Sequence, residues 1–165
     1  VNMFYAADTQ LHVLPTMTGL AVMDSENFQK NLIVTTKDAP PARIGDYPIW
    51  IGHHYDAMDR KFLKENITFI VSLAEFIPTG WTKHIFWPMK QPHPKEDFVK
   101  VARLINDLVD SGEKVLVHCF GGVDRSATAV LVWLVLHRGY APAVAAKLIK
   151  DCRPVANPHL EWMGW

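Results

Sequence analysis

Cys119 and Arg125 stand six positions apart in "KVLVHCFGGVDRSATAVLVWLVLHRG", residues 114–139. A thiol and a guanidinium at that spacing, with Gly121 and Gly122 between them, are the parts of an anion site that carries its own nucleophile. "KVLVH" reads as a central strand. Ser126 to His137 reads as a nearly all-apolar helix stopped by Gly139, so the loop between them enters a helix N-terminus. At such a turn backbone N–H groups and the helix dipole point toward a negative ligand. Gly121 and Gly122 permit the backbone angles that aim consecutive N–H groups inward. Arg125 adds a planar fork matched to two phosphate oxygens, and the field that binds the anion favours the thiolate of Cys119. A thiolate facing a bound phosphate is placed for in-line attack on phosphorus, so the predicted chemistry is covalent phosphoryl transfer from a monoester.

The rest of the chain must position that loop. From Tyr47 the pattern is regular: "PIWIG" reads as a strand and "DAMDRKFLKEN" as a helix begun by Asp56. "ITFIVSL" and "KHIFWP" read as further strands. "PKEDFVKVARLINDLVDSG" carries an apolar stripe at Phe98, Val101, Leu104, Ile105 and Leu108 and ends at Gly112. "APAVAAKLIKDC" is a last helix with Pro142 in its first turn. Strands alternating with helices predict an α/β domain, a central and mostly parallel sheet flanked by helices. The quoted loop then leaves the C-terminal end of a central strand, where open α/β sheets place their ligands. "KDAPPARIGDYP" (37–48) reads as a connection. Residues 1–45, with one strand-like run "NLIVTT", are expected to be an extension packing on or near the core, and residues 46–165 the catalytic domain.

At 165 residues the chain is the size of one ordinary domain. Lys+Arg and Asp+Glu number 17 each, so no global field favours nucleic acid, and an anionic partner must be drawn by a local cluster. Two cysteines are too few for a disulfide scaffold, which predicts a reducing compartment and a cytoplasmic location. "ATAVLVWLVLH" is too short to cross a bilayer, and "VNMFYAADTQLHVL" lacks a signal-peptide pattern. The chain starts at Val1 rather than Met, which leaves room for an upstream piece. Cys152 reads as packing and the His53–His54 pair as surface or packing, no metal site is implied, and the predicted mechanism needs no cofactor. Nothing in the residues indicates an oligomeric state.

"HCFGGVDRS" resembles the HC-x5-R-[ST] phosphate loop of the protein tyrosine phosphatase superfamily. "YPIWIGHHYDAMDRKFLKENITFIVSLAE" and "CRPVANPHLEWM" resemble the dual-specificity branch, so the likeness covers roughly residues 46–163. A rhodanese-type cysteine loop is disfavoured by the apolar helix after Arg125 and the helix that follows it. The resemblance implies that Cys119 is the nucleophile and Arg125 the phosphate clamp, within a loop of Phe120, Gly121, Gly122, Val123, Asp124 and Arg125. It implies that Ser126 assists thiolate release from the phosphocysteine, and that His118 hydrogen-bonds near the cysteine and helps set its pKa.

One position departs from the pattern. The family supplies a general acid, an Asp, from the loop after the strand that precedes the long helix; Met89 stands there and has no proton to donate. Three replacements are available. Asp124 lies inside the loop, as an Asp does in myotubularin-type and Sac-type lipid phosphatases, and a thiolate and a phosphate dianion beside it would favour its protonated form. Its bland alternative is a carboxylate turned outward to a lysine. Glu96 and Asp97 follow Met89 but also suit the first turn of a helix without any catalysis. His93 is the third.

The same loop carries Lys83, His84, Lys90, His93 and Lys95 before its first acid, a cluster that near the cradle would attract a substrate with several phosphates or an acidic peptide and otherwise is a solvated surface run. Trp81, Phe86 and Trp87 read as core packing beneath it. The stacking aromatic of the tyrosine-specific enzymes is not recognisable, which predicts a shallow, permissive pocket. The leading expectation is a dual-specificity-type protein phosphatase acting on phosphotyrosine and phosphoserine/threonine. Its alternatives are a phosphatase for inositol phosphates, phosphoinositides or another small polyanion, and an inactive phosphate-binding pseudophosphatase.

Overall fold

The computed structural model describes residues 38–75, 81, 83–89 and 94–165. The strand expected at "NLIVTT" and the side chains of Lys90 and His93 lie outside them. Among the described residues five strands form one sheet in the order β1-β2-β5-β3-β4: β1 Ala42–Arg43, β2 Ile49–Gly52, β3 Phe69–Ser72, β4 His84–Phe86 and β5 Val115–His118. All neighbours run parallel except β1, an antiparallel edge that lies inside the stretch read as a connection. The expected α/β class with a mostly parallel sheet is what the chain forms.

β5 is central because all four of its residues are apolar or satisfied in the interior, and it is buried from end to end. Its side chains alternate between two cores. Val115 and Val117 join Ile49, Ile51 and Val71 in the larger cluster. Among the described residues four helices serve the sheet: α1 Arg60–Asn66, α2 Lys95–Asp110, α3 Arg125–Arg138 and α4 Pro142–Cys152. α2 contributes Val101 and Ile105 to the larger cluster, α3 contributes Ala127 to Leu134, and α4 contributes Ile149. Leu116 and Ile70 point the other way, into a smaller cluster with Ala57, Leu63 and Ile67, against which Trp50, Phe62 and Trp81 pack. Each such buried aliphatic side chain contributes about 1.5–3 kcal/mol relative to exposure.

α3 reads as apolar all round because it is covered all round: every residue from Arg125 to Leu134 is buried. It ends where Gly139 takes a φ of 78°. The helix expected from Asp56 starts later. Asp56–Met58 is a single 3-10 turn, and α1 begins after Asp59, whose carboxylate accepts the Phe62 N–H at 3.1 Å. Asp56 cannot cap it, because its own carboxylate is buried and accepts the His53 N–H at 2.9 Å. Among the described residues no helix is long and apolar enough to cross a membrane.

Candidate active site

The register sets the site's floor. Gly52 of β2 and Ser72 of β3 both lie level with His118 of β5, so three parallel strands end together at the point where the loop begins. The loop runs from Cys119 to Arg125, the first residue of α3. Cys119 is 2% exposed, and its Sγ lies 3.3 Å from the hydroxyl of Ser126. The predicted nucleophile and the predicted thiolate-assisting hydroxyl are therefore in contact.

The loop's carbonyls are held from outside. Arg153, 1% exposed after α4, donates from Nε to Gly122 O at 2.9 Å and from Nη2 to Gly121 O at 3.2 Å, and its Nη1 donates to Pro40 O at 2.7 Å. The Asn157 N–H donates to Val123 O at 2.7 Å. The Phe120 carbonyl accepts the backbone N–H of His54 and faces its Nδ1, both at 3.0 Å, and the two rings stack 4.4 Å apart. Meanwhile none of the N–H groups of Gly121 to Asp124 donates to another described residue. Carbonyls held from outside, beside N–H groups that have no described acceptor, are the arrangement that an anion cradle requires. Of the two loop glycines only Gly122 takes a positive φ, 67°. A Cβ there would also meet Gly52 O at 2.5 Å and Arg153 Nη2 at 2.7 Å, so glycine is required twice over.

Arg125 is buried beneath the cradle. Its Nη1 donates to Leu73 O at 2.9 Å and to Met89 O at 2.8 Å, tying the loop to the end of β3 and to the position of the absent acid. Met89 itself is 2% exposed, part of the larger core, and offers only a backbone carbonyl to the site.

His118 bonds the cysteine through its backbone: Nδ1 lies 3.0 Å from Cys119 O, and Nε2 lies 2.6 Å from Ser72 Oγ. An imidazole donating to the carbonyl at Nδ1 and accepting the serine hydroxyl at Nε2 satisfies both contacts while neutral. Complete burial pulls its pKa down to about 4, against a smaller opposing effect of the Cys119 carbonyl. It therefore orients the loop's first residue without bringing a positive charge to the thiol.

Asp124 is not turned outward to a lysine. It is 4% exposed, and its Oδ1 lies 2.7 Å from His159 Nε2. His159 stacks on Trp162 with centroids 3.9 Å apart and rings 9° from parallel, and its Nδ1 meets Glu161 Oε2 at 2.6 Å. Neither His159 nor Arg153 was singled out in the sequence. They reach the loop from more than 27 residues downstream of it, and the only signal was the family likeness of "CRPVANPHLEWM".

The other candidate acids stand elsewhere. Glu96 and Asp97 occupy the first turn of α2, the use that the helix dipole favours. Glu96 also opens, with Lys95, Val99, Lys100 and Arg103, on a cavity of about 600 Å³ that has no loop residue in its described lining. Of the described members of the basic cluster, Lys83 is turned away from the cradle. Lys83 donates to both Glu113 oxygens at 2.8 Å, beside the N-terminal ends of β3 and β5 and thus across the sheet from the loop. Burial lowers the pKa of His84. Trp81 and Trp87 pack against the two cores, and Cys152 packs against the larger one, as expected.

Comparison with known proteins agrees with this geometry. The human "Dual specificity protein phosphatase 15" is 33% identical over 138 residues, 71% of this chain and 44% of that protein. "Dual specificity protein phosphatase 1" of Arabidopsis thaliana is 30% identical over 118 residues, 67% of this chain and 60% of that protein. The chain thus spans about half the length of these curated relatives. Among solved structures, DUSP15 superposes with a TM-score of 0.66 at 26% identity, over 74% of this chain and 81% of that one. Human DUSP28, at 24% identity, shares the fold with a TM-score of 0.66 over 74% of this chain and 87% of that one. Residues 49–165 match the family "Dual specificity phosphatase, catalytic domain", and the chain belongs to that family.

Proposed function

We propose that this protein is a cysteine-dependent phosphomonoesterase of the dual-specificity type, hydrolysing phosphotyrosine and phosphoserine/threonine in proteins through a phosphocysteine intermediate. The observation that carries the reading is the cradle itself: a buried thiol 3.3 Å from a hydroxyl, ringed by outward-bound carbonyls and closed by a buried arginine. The Cys119 thiolate attacks phosphorus, the P–O ester bond breaks, and the leaving oxygen takes a proton from an acid. Water then attacks phosphorus, the P–S bond breaks, and Ser126 donates its hydroxyl hydrogen bond to the departing sulfur. The loop's N–H groups and Arg125 stabilise the charge of both transition states.

The proton donor is not Met89. The candidates are Asp124 (in contact with His159), Asp97 and Glu96 on α2, and His93, or the reaction runs without a dedicated acid. A small-polyanion substrate stays the alternative; of its described basic residues, Lys83 is paired with Glu113 across the sheet and Lys95 opens on the α2 cavity.

The test is phosphate release from phosphotyrosine and phosphothreonine peptides and from inositol phosphates, with Cys119→Ser beside the wild type. We expect Cys119-dependent release, fastest from the peptides, and Asp124→Asn and Asp97→Asn pH–rate profiles identify the acid as the variant that loses the alkaline limb. Turnover retained in Cys119→Ser would remove the mechanism. Silence on every substrate with tungstate still bound would leave a phosphate-binding module.

A further inference from the structure

The segment after α4 touches the outer face of the loop at four consecutive residues: Arg153 at Gly121 and Gly122, Asn157 at Val123, and His159 at Asp124. Three of these links are bonds to backbone carbonyls, which do not titrate. The fourth joins two ionisable side chains, and it lies one residue before the phosphate clamp Arg125. Building on the reading of this loop as a phosphate cradle, we propose that His159 is a positioning residue: through Asp124 it fixes the loop residue next to Arg125, and the cradle holds its dianion tightly only while that imidazole is charged.

The geometry is that of a committed pair. His159 Nε2 and Asp124 Oδ1 are 2.7 Å apart with side chains 10% and 6% exposed. The ring is fixed on its flat side by Trp162, which in turn stacks on Phe98 of α2 at 5.8 Å. Its backbone N–H donates to the Thr128 hydroxyl of α3 at 2.9 Å, and the Asn157 amide lies 3.5 Å from Nε2. Among the described residues, the charged groups in contact with the ring are Asp124 from the loop and Glu161 from its own turn; α3 meets the segment through Thr128, and α2 meets Trp162 through Phe98. Glu161 is 69% exposed and screened by solvent, so the buried Asp124 contact is the stronger of the two. Burial alone would lower the His159 pKa, but the bonds to Asp124 and Glu161 and their charges outweigh it, and the net direction is upward. With both ring nitrogens facing carboxylate oxygens, the doubly protonated imidazole is the form that satisfies both.

When that proton leaves, Asp124 keeps its charge and faces an imidazole that can no longer donate at both nitrogens. A buried carboxylate beside the cradle then repels the incoming dianion with less to offset it. Binding and turnover should fall together on the alkaline side, independently of the nucleophile's own ionisation.

The test isolates the loop from the thiol. Tungstate, a dianion over the range used, is titrated calorimetrically into Cys119→Ser protein and into Cys119→Ser/His159→Gln from about pH 6.5, the ordinary histidine value, upward to about pH 9. The glutamine amide can still donate to Asp124 but does not titrate. In the first protein, Kd is expected to weaken by on the order of tenfold across the range, the size of a one-unit coupling. In the second it should stay flat, as it should in Cys119→Ser/Asp124→Asn, which serves if the glutamine variant misfolds. Equal pH dependence in all three proteins, or none in the first, overturns the proposal alone. No tungstate binding at any pH takes the phosphate-cradle reading down with it.

Discussion

His118 and His159 hold the same seven-residue loop from opposite sides, and the protein treats them in opposite ways. His118, on the sheet side, is completely buried between a serine hydroxyl and a backbone carbonyl, and burial holds it neutral, with its pKa at about 4. His159, on the outer side, sits between two carboxylates that raise its pKa despite burial. The difference follows from the partners. Neutral dipoles do not offset the desolvation of an imidazolium, whereas a buried carboxylate at 2.7 Å does. One side of the loop thus holds its histidine neutral near neutrality, and the other side favours the charged form.

The strongest way to break this comparison is to remove the outer frame altogether. Arg153→Met deletes charged donors from three buried or half-buried carbonyls. Hydrogen bonds to charged groups contribute about 1.5–3 kcal/mol each, so a loss of about 3 kcal/mol or more is expected in urea unfolding. kcat/KM should drop by about 100-fold as the cradle loses its shape, since small misplacements at a preorganised site have effects of that order. Near-normal turnover in Arg153→Met would show that the sheet side alone shapes the loop.

The sheet side is sharpened by acid. Because the folded pKa of His118, about 4, lies below its unfolded value of about 6.5, the unfolded chain binds the extra proton between them. Its contribution is complete above about pH 6.5 and is lost as pH falls toward 4, by up to about 3 kcal/mol. His118→Asn keeps a donor for the Cys119 carbonyl and cannot titrate, so its Tm should be less acid-sensitive than that of the wild type. Parallel Tm curves would place the acid sensitivity elsewhere.

The outer side gives the smallest effect and the opposite sign. The His159 pKa is raised in the folded state, so its stabilisation is fully present below the unfolded value and is lost as pH rises through the folded one. Thermal melts on the alkaline side should therefore fall more steeply for the wild type than for His159→Gln. A crossing of the two proteins' acid and alkaline slopes would confirm that two histidines around one loop carry opposite linkages; slopes of one sign for both would dissolve the contrast.

The readings that survived rest on short-range patterns. β5, the loop and α3 were legible because an apolar run, two glycines and a long apolar helix follow each other directly, and the structure places them at β5 Val115–His118 and α3 Arg125–Arg138. The missing acid was legible as well: Met89 is methionine wherever the chain takes it, and it goes into the core. The start of α1 was misread because Asp56 and Asp59 are both competent caps, and only the burial of Asp56 against the His53 N–H decides between them. For the basic cluster, sequence leaves a solvated run and a substrate-facing one equally open, and for Lys83 the fold decides. β4 is parallel to β3 and carries Lys83 to the end of the sheet remote from the loop.

What the sequence determined by itself is the chemistry on offer: a thiol, a phosphate-matched guanidinium, a hydroxyl beside them and the absence of an acid at Met89. Residue type and local spacing suffice for that, because a strand–loop–helix turn closes over a few residues. What only the tertiary structure decided is how those groups are held and charged. Asp124 found His159 across 35 residues, and the loop carbonyls found Arg153 across 31 and 32. Burial and the partner at contact distance set a titratable group's state, and both are properties of the folded interior rather than of neighbours along the chain.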